Sequence, residues 1–296
     1  MNTKIIEILA KTASLWTKVW INKIKFFRII YSKLLNFFSK KCKIIEITTK
    51  FWFKMKINSS WLVVEKNLKE NWIWEPEISR ILLNYCINWT IFLDIWANIW
   101  YYSLLLSNKV WLWKIYSFEP QYNNYKLLSE NIELNWFKNI TPMKIWLGSK
   151  KSNMSIKYVP NNPWHSSVIE DERNEFFETE IIEIEALDNL NIKKVDLIKI
   201  DVEWYEYEVI QWMSKLINNN KPIIIIEFSP VFYDNIYNKG FWIKFLNELN
   251  QLWYNINHIF ENEANNWELY KLIKTDEFEH YLNNYPIQSN LLLLPK

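Results

Sequence analysis

Asp94-Ile95-Trp96-Ala97-Asn98-Ile99-Trp100-Tyr101-Tyr102-Ser103 closes a short apolar run, residues 91–94, and opens a helical stretch over 101–107. A strand ending in an acid, then a tight turn, then a helix is an arrangement that holds nucleotides. The turn brings backbone N–H groups to the ligand, and the helix start adds its dipole. Such a turn wants residues without a Cβ, so that the backbone can come close. Here the chain places tryptophan twice, at Trp96 and Trp100.

Working outward, strand and helix alternate. Residues 114–119 (KIYSFE) read as a second strand ending in an acid, 123–134 as a helix and 140–145 as a third strand. After residue 190 come a strand at 195–200, a helix around 206–217 and the apolar run 223–228. That run is unbroken, as a strand buried on both faces should be. A helix at 241–249 and strands at 251–260 and 290–294 complete the set. The alternation predicts an α/β fold, a doubly wound, Rossmann-like sheet with helices on both faces. Residues 150–190 differ: two alternating strands, 155–159 and 180–184, flank an acidic loop at 170–178.

The composition is abnormal in one respect. Glycine is 2 of 296 residues and tryptophan 19, together 21, near the ~7% that glycine alone usually takes. Nine prolines and many turns should not come with so little of the residue that reaches positive φ without strain. Each tryptophan is therefore a candidate glycine position. With glycine at Trp96 and Trp100 the segment reads DIGANIGYYS, which resembles the first motif of the FkbM family of S-adenosylmethionine-dependent methyltransferases. The likeness continues in register at Trp111 and Trp113 (VGLGKIYSFEP), at Trp204 (IKIDVEGYEYEVI), at Trp212 (QGMSKLI) and at Trp253 (LGYNI). Trp136 follows a helix ending NIELN, where glycine would form the left-handed cap. The closing SNLLLLPK also resembles the family's ending. The resemblance spans residues 75–296 and implies a class I methyltransferase sheet. It leaves residues 1–74 outside, as a basic, mainly helical extension.

The same pattern predicts that most of the tryptophans are UGA codons, glycine in the native host but read as tryptophan here. A naturally tryptophan-rich protein would have to place indoles repeatedly at caps and in a ligand turn. Indoles at 96 and 100 would obstruct that turn, so the chain as written is expected to fold poorly and to bind its cofactor weakly.

Several residues are candidates for chemistry. Asp94 would hold the amino-acid part of S-adenosylmethionine; Trp96, Ala97, Asn98, Trp100 and Tyr101 would form the turn. Glu119 ends the second strand 25 residues later, with Pro120 after it, and its two oxygens suit ribose hydroxyls. A nicotinamide dinucleotide is the neighbouring possibility, but it usually wants GxGxxG straight after the strand. Gly148 and Ser149 would approach the adenine. Asp201 and Glu203 follow the fourth strand at the edge where such sheets hold ligands. A hydroxyl acceptor must lose its proton, which asks for a base or an orienting carboxylate. Asp201 comes first for that part and Glu203 next, with His165 and Glu227 as further candidates. No metal is expected, although Asp201, Glu203 and Glu227 together have the chemistry to hold one. Residues 150–190 would cover the acceptor, which the resemblance suggests is a sugar or another small hydroxylated metabolite.

Residues 1–50 hold eleven Lys/Arg against Glu7 and Glu46, a local charge of +9; the remainder carries −7. Ile5, Ile6 and Leu9, then Ile24, Phe27, Ile30, Leu34 and Phe38, recur at helical spacing. Such an arm either packs as a solubilised extension or lies on an anionic membrane or glycan surface. A cytoplasmic location is expected, peripheral to the inner membrane face in the second case. Lys and Arg interrupt every apolar stretch, which argues against a secretory signal. Cys42 and Cys86 make no disulfide framework and no zinc pattern. A non-catalytic binder with the same fold, docking through the basic arm, is the alternative reading. Nucleic acid is an unlikely substrate, because the presumed catalytic region is acidic.

Overall fold

The computed structural model describes residues 44–58, 68, 73–98, 100–109, 114–159, 162–167, 178–202, 205–259, 270–271 and 289–296. The chain divides into two compact units: Met1–Trp72 with Ser155–Ile181, and Ile73–Met154 with Ile182–Lys296. The helical periodicity over Ile5–Phe38 falls outside the described residues.

In the first unit β1 (Ile44–Thr48) and β2 (Lys54–Asn58) form an antiparallel hairpin that sequence reading did not find. Met55 and Ile57 alternate inward and are fully buried. The connection turns at Trp52, whose N–H donates to the Thr49 carbonyl at 3.0 Å with φ at 68°. Glycine at that place would have marked a hairpin; tryptophan hid it.

The second unit is built on an eight-stranded sheet. Its chain order begins with α1 (Pro76–Tyr85), β3 (Ile91–Ile95), α2 (Tyr101–Lys109), β4 (Lys114–Phe118), α3 (Tyr122–Leu134) and β5 (Ile140–Met143). Then come β6 (Trp146–Gly148), next β7 (Ser152–Val159) and β8 (Asn162–Ser167), which belong mainly to the first unit, and β9 (Glu178–Ala186). The chain returns to the large sheet with β10 (Leu197–Ile200), α4 (Glu206–Trp212), α5 (Ser214–Asn220), β11 (Ile223–Phe228), α6 (Pro230–Ile236) and α7 (Phe241–Gln251). It ends with β12 (Tyr254–Ile259), β13 (Tyr270–Lys271) and β14 (Ser289–Pro295). The order across the sheet is β13-β12-β14-β11-β10-β3-β4-β5. The five strands from β11 to β5 run parallel, and β14 lies antiparallel between β11 and β12.

This is the doubly wound α/β architecture the alternation predicts. The central strands are mostly apolar because both faces are covered: Phe92, Leu93, Ile198, Ile200, Ile224, Ile226 and Leu291 to Leu293 are all buried. Two boundaries differ from the sequence reading. The helix over 206–217 is two short helices that meet at Met213, and the third strand stops at Met143 before β6 begins. Between β6 and β10 lie the strands of the predicted insert. β6 pairs in parallel with β9, and in the first unit β7 pairs antiparallel with β8.

The chain leaves β3 toward β4 and β5 on one side and returns to β10 on the other. Strand order therefore reverses between β3 and β10, and a crevice outside the carboxyl ends of those strands is where such sheets take ligands.

Candidate functional site

Asp94 and Lys199 are register partners on β3 and β10, and Asp201 follows β10 directly. Asp94 is fully buried. Its Oδ2 accepts a hydrogen bond from Ser103 Oγ at 2.6 Å, and Ser103 Oγ lies 2.7 Å from Ser117 Oγ. Oδ1 has no partner. Burial pushes the Asp94 carboxyl up, against the opposing pull of Lys199 and the Ser103 bond. A buried carboxylate oxygen without a partner is unfavourable by roughly 1–3 kcal/mol and needs a reason.

The turn after β3 is a chain of left-handed residues. Trp96, Asn98 and Trp100 have φ of 64°, 42° and 62°. Ala97 N–H donates to the Phe118 carbonyl at 2.9 Å, and Trp100 N–H to the Ala97 carbonyl at 2.7 Å. Asn98 N–H donates to Glu119 Oε2 at 3.0 Å, while Asn98 Oδ1 is buried with no partner. Tyr101 begins α2 and is fully buried; burial pushes its hydroxyl up to about 12.

Glu119 stands at the end of β4, as its sequence position predicts, but it is occupied. Oε2 accepts from Asn98 N–H and Oε1 from Gln121 N–H at 3.0 Å. Oε1 also accepts from Asn124 Nδ2 at 3.4 Å, so a ribose hydroxyl would have to compete with these donors. Pro120 lines a cavity of about 10 Å³ together with Trp96, Phe118, Trp146, Leu147 and Val202. That is room for about one water, whereas small-molecule sites usually enclose roughly 300 Å³ or more. Two indoles fill the space: Trp96 meets Trp146 edge-on with ring centroids 4.5 Å apart.

Gly148 has a structural reason of its own. A Cβ there would lie 2.3 Å from Ile184 Cγ2 across the β6–β9 pair. Ser149 is exposed just beyond it.

On the other side of the crevice the Asp201 carboxylate takes a hydrogen bond from Lys199 Nζ at 2.7 Å and shares one with Glu227 of β11. Burial alone would raise the Asp201 carboxyl; Lys199 and Glu227 outweigh that and hold it below the ordinary aspartate range. Glu203 lies outside the described residues. His165 is in β8, in the first unit, and its side chain is not among those described. Among the described residues, no group of three or more His, Cys, Asp or Glu is arranged to hold a metal ion.

Sequence reasoning missed Lys199, Tyr102, Ser103 and Glu206. Lys199 had a legible signal: a charge inside the apolar run LIKI has to meet anions if the strand is buried. Glu206 had none. Its Oε1 accepts from Val202 N–H and its Oε2 from Tyr233 hydroxyl, which ties the loop after β10 to α6.

Six of the ten non-glycine residues with positive φ among those described are tryptophan. Trp136 and Trp253 follow α3 and α7 at φ 58° and 69°. At the first, Trp136 N–H reaches the Glu133 carbonyl and Phe137 N–H the Ile132 carbonyl, the bonding of a glycine-type helix end. Trp52, Trp89, Trp136 and Trp253 expose 66–87% of their surface, so packing does not explain them. Trp212, in contrast, is an ordinary helical residue of α4. Trp111, Trp113 and Trp204 lie outside the described residues.

The methyltransferase FkbM domain matches residues 94–252, from the strand-end acid through the helix before β12. Methyltransferase sdnD of Sordaria araneosa is 26% identical over 154 residues, covering 41% of this chain and 60% of that protein. The chain thus spans about 60% of the length of that curated relative. Among solved structures, the methyltransferase FkbM of Methylobacillus flagellatus is similar at 15% identity and a TM-score of 0.41, over 69% of this chain and 43% of that one. A TehB-like S-adenosylmethionine-dependent methyltransferase of Corynebacterium glutamicum is similar at 9% identity and a TM-score of 0.43, over 80% and 97%.

Proposed function

Because the chain belongs to the FkbM methyltransferase family, we propose that it carries the methyl group of S-adenosylmethionine to a hydroxyl oxygen of a sugar, a glycolipid or another small hydroxylated acceptor. The observation that carries this reading is the pair of strand-end carboxylates, Asp94 and Asp201, on the two strands that flank the switch point. Asp94 offers a buried oxygen with no partner, suited to an ammonium group. When bound, S-adenosylmethionine supplies a methyl group activated by its sulfonium charge.

The residues of the chain do the rest. Asp94 holds the amino-acid end, and the turn over 96–100 brings the backbone to the ligand. Glu119 supports that turn and faces the ribose side. Gly148 and Ser149 stand on the strand where the adenine would lie. Asp201 takes the acceptor's hydroxyl hydrogen bond and sets the oxygen in line, and Glu227 steadies it; Glu203 is a further group for the acceptor side. Alignment supplies most of the rate in a displacement of this kind.

The cavity of about 10 Å³ does not admit such a ligand while two indoles fill it. We propose accordingly that the native protein carries glycine at most of its 19 tryptophan positions, through UGA codons that the host reads as glycine. Support comes from the composition, from the left-handed backbone at six of these residues, and from the filled turn.

Two measurements test the proposals separately. Mass spectrometry of peptides from the native host reads positions 96 and 100 directly, and tryptophan at either one sinks the recoding. Calorimetric titration of S-adenosylmethionine compares the chain as written with one carrying Trp→Gly at all 19 positions. Binding is expected in the second and lost or at least tenfold weaker in the first. A folded second chain that does not bind removes the cofactor, and the function with it.

A further inference from the structure

Lys199 is 5% exposed in the middle of the sheet, on the strand next to Asp94. A buried ammonium without anions loses several kcal/mol of hydration, so its surroundings must replace water. They do so from four elements. Asp201 Oδ2 lies 2.7 Å from Nζ, and the Tyr102 ring of α2 lies with its centroid 4.9 Å from it. The Tyr102 hydroxyl donates to Glu75, just before α1, and Glu75 holds a left-handed φ of 37°. Asp94 faces Lys199 from β3 and Glu227 meets Asp201 from β11. One cation thus stands among the carboxyl groups of Asp94, Asp201 and Glu75, with Glu227 on the far side of Asp201.

Strain at a non-glycine residue and a buried charge rarely coincide outside functional sites. The Asp201 side chain keeps 31% of its surface exposed, so a further partner can reach it. We infer that Lys199 is a positioning residue for methyl transfer: its ammonium fixes the Asp201 carboxylate, ionised, at the crevice where the acceptor's hydroxyl is received. This inference rests on the function proposed above.

It also defines what Asp201 does. A carboxylate held below the ordinary aspartate range by Lys199 is a weak base. It accepts and orients the hydroxyl hydrogen bond at neutral pH, and takes the proton only as the new O–C bond makes that hydroxyl acidic. A strong base, with a pKa near the working pH, would need the opposite environment. Lys199 itself stays charged: burial works against its charge, and Asp201, Glu75 and Asp94 more than compensate.

Carboxyl carbon NMR of the full chain carrying Trp→Gly at all 19 positions, the form expected to bind the cofactor and the unmutated reference for this test, decides it, with the Asp201 signal assigned by its loss in Asp201→Asn. Titrations are recorded free, with S-adenosylmethionine and with S-adenosylhomocysteine. In the unmutated free chain Asp201 is expected to titrate below about 3.9. In Lys199→Met its midpoint rises by one pH unit or more, and Lys199→Arg restores most of the depression. The midpoint should be lower with the sulfonium than with the neutral thioether, a difference that a salt bridge remote from the reacting atoms would not show. An unmutated chain titrating at or above 3.9 overturns the inference without any variant. Equal midpoints in the two complexes overturn it as well. If neither ligand binds, the proposed function fails, and the titration of the free chain still judges the pairing.

Discussion

Under the proposed function, Asp94 is where ligand binding works against stability. Its carboxyl is raised by burial, so the folded chain holds that proton more tightly than the unfolded chain does. Between the ordinary aspartate value and the raised one, stability therefore falls as pH rises, and the loss persists at neutral pH. Asp94→Asn removes that loss. It is expected to stabilise the chain at pH 7 by on the order of 1 kcal/mol, raising the thermal midpoint by roughly 2–4 °C. In the chain carrying Trp→Gly at all 19 positions, Asp94→Asn should bind S-adenosylmethionine at least tenfold more weakly. A lower midpoint in calorimetric unfolding would mean that Asp94 is held for packing and not for a ligand.

At the scale of elements the tryptophans at helix ends and turns are the informative ones. α3 and α7 both end on a left-handed residue, because the last carbonyls of a helix need N–H donors from a chain that reverses. Glycine reaches that conformation freely, and a side chain there adds strain of roughly 1 kcal/mol or more. The indoles of Trp136 and Trp253 are mostly exposed and recover little of it by packing. Trp136→Gly and Trp253→Gly should each raise stability by about 1 kcal/mol in urea unfolding. Destabilisation by either change would show that the indole contributes contacts outweighing its backbone strain. The hairpin β1–β2 follows the same logic: its alternation was present in the sequence, but its turn residue, Trp52, did not look like one.

For the whole molecule, pH dependence on the acidic side should be set in part by His258 on β12. Burial pushes its imidazole down to about 4. The unfolded chain takes up that proton first, so the stability His258 preserves is complete above about pH 6.5 and is lost as pH falls toward 4. The full loss is about 3 kcal/mol. His258→Gln should flatten the unfolding free energy between pH 6.5 and 4, which chemical denaturation across that range would reveal. An unchanged slope would place the acid sensitivity elsewhere.

The order of the parallel strands was legible because most of them are short apolar runs with buried faces, and most of the connections between them are helical repeats. The candidate cofactor turn was legible because an acid, two abnormal tryptophans and a helix start stand in one stretch. What lay beyond reading was the set of contacts between distant segments. Glu119 had the right place, yet only the fold reveals that the N–H groups of Asn98 and Gln121 already occupy its oxygens. Gly148 had the right type, yet its reason is Ile184, 36 positions on.

By itself, then, the sequence determined the α/β order, the strand-end acids and four positions, Trp96, Trp100, Trp136 and Trp253, where backbone conformation asks for glycine, since periodicity and local φ preferences are properties of neighbouring residues. Only the tertiary structure decided that Lys199 stands between Asp94 and Asp201, that Tyr102 leads from it to Glu75, and that two indoles share one cavity. Those facts depend on strand register and burial, which bring together charges far apart in the chain and remove the water that would otherwise keep them independent.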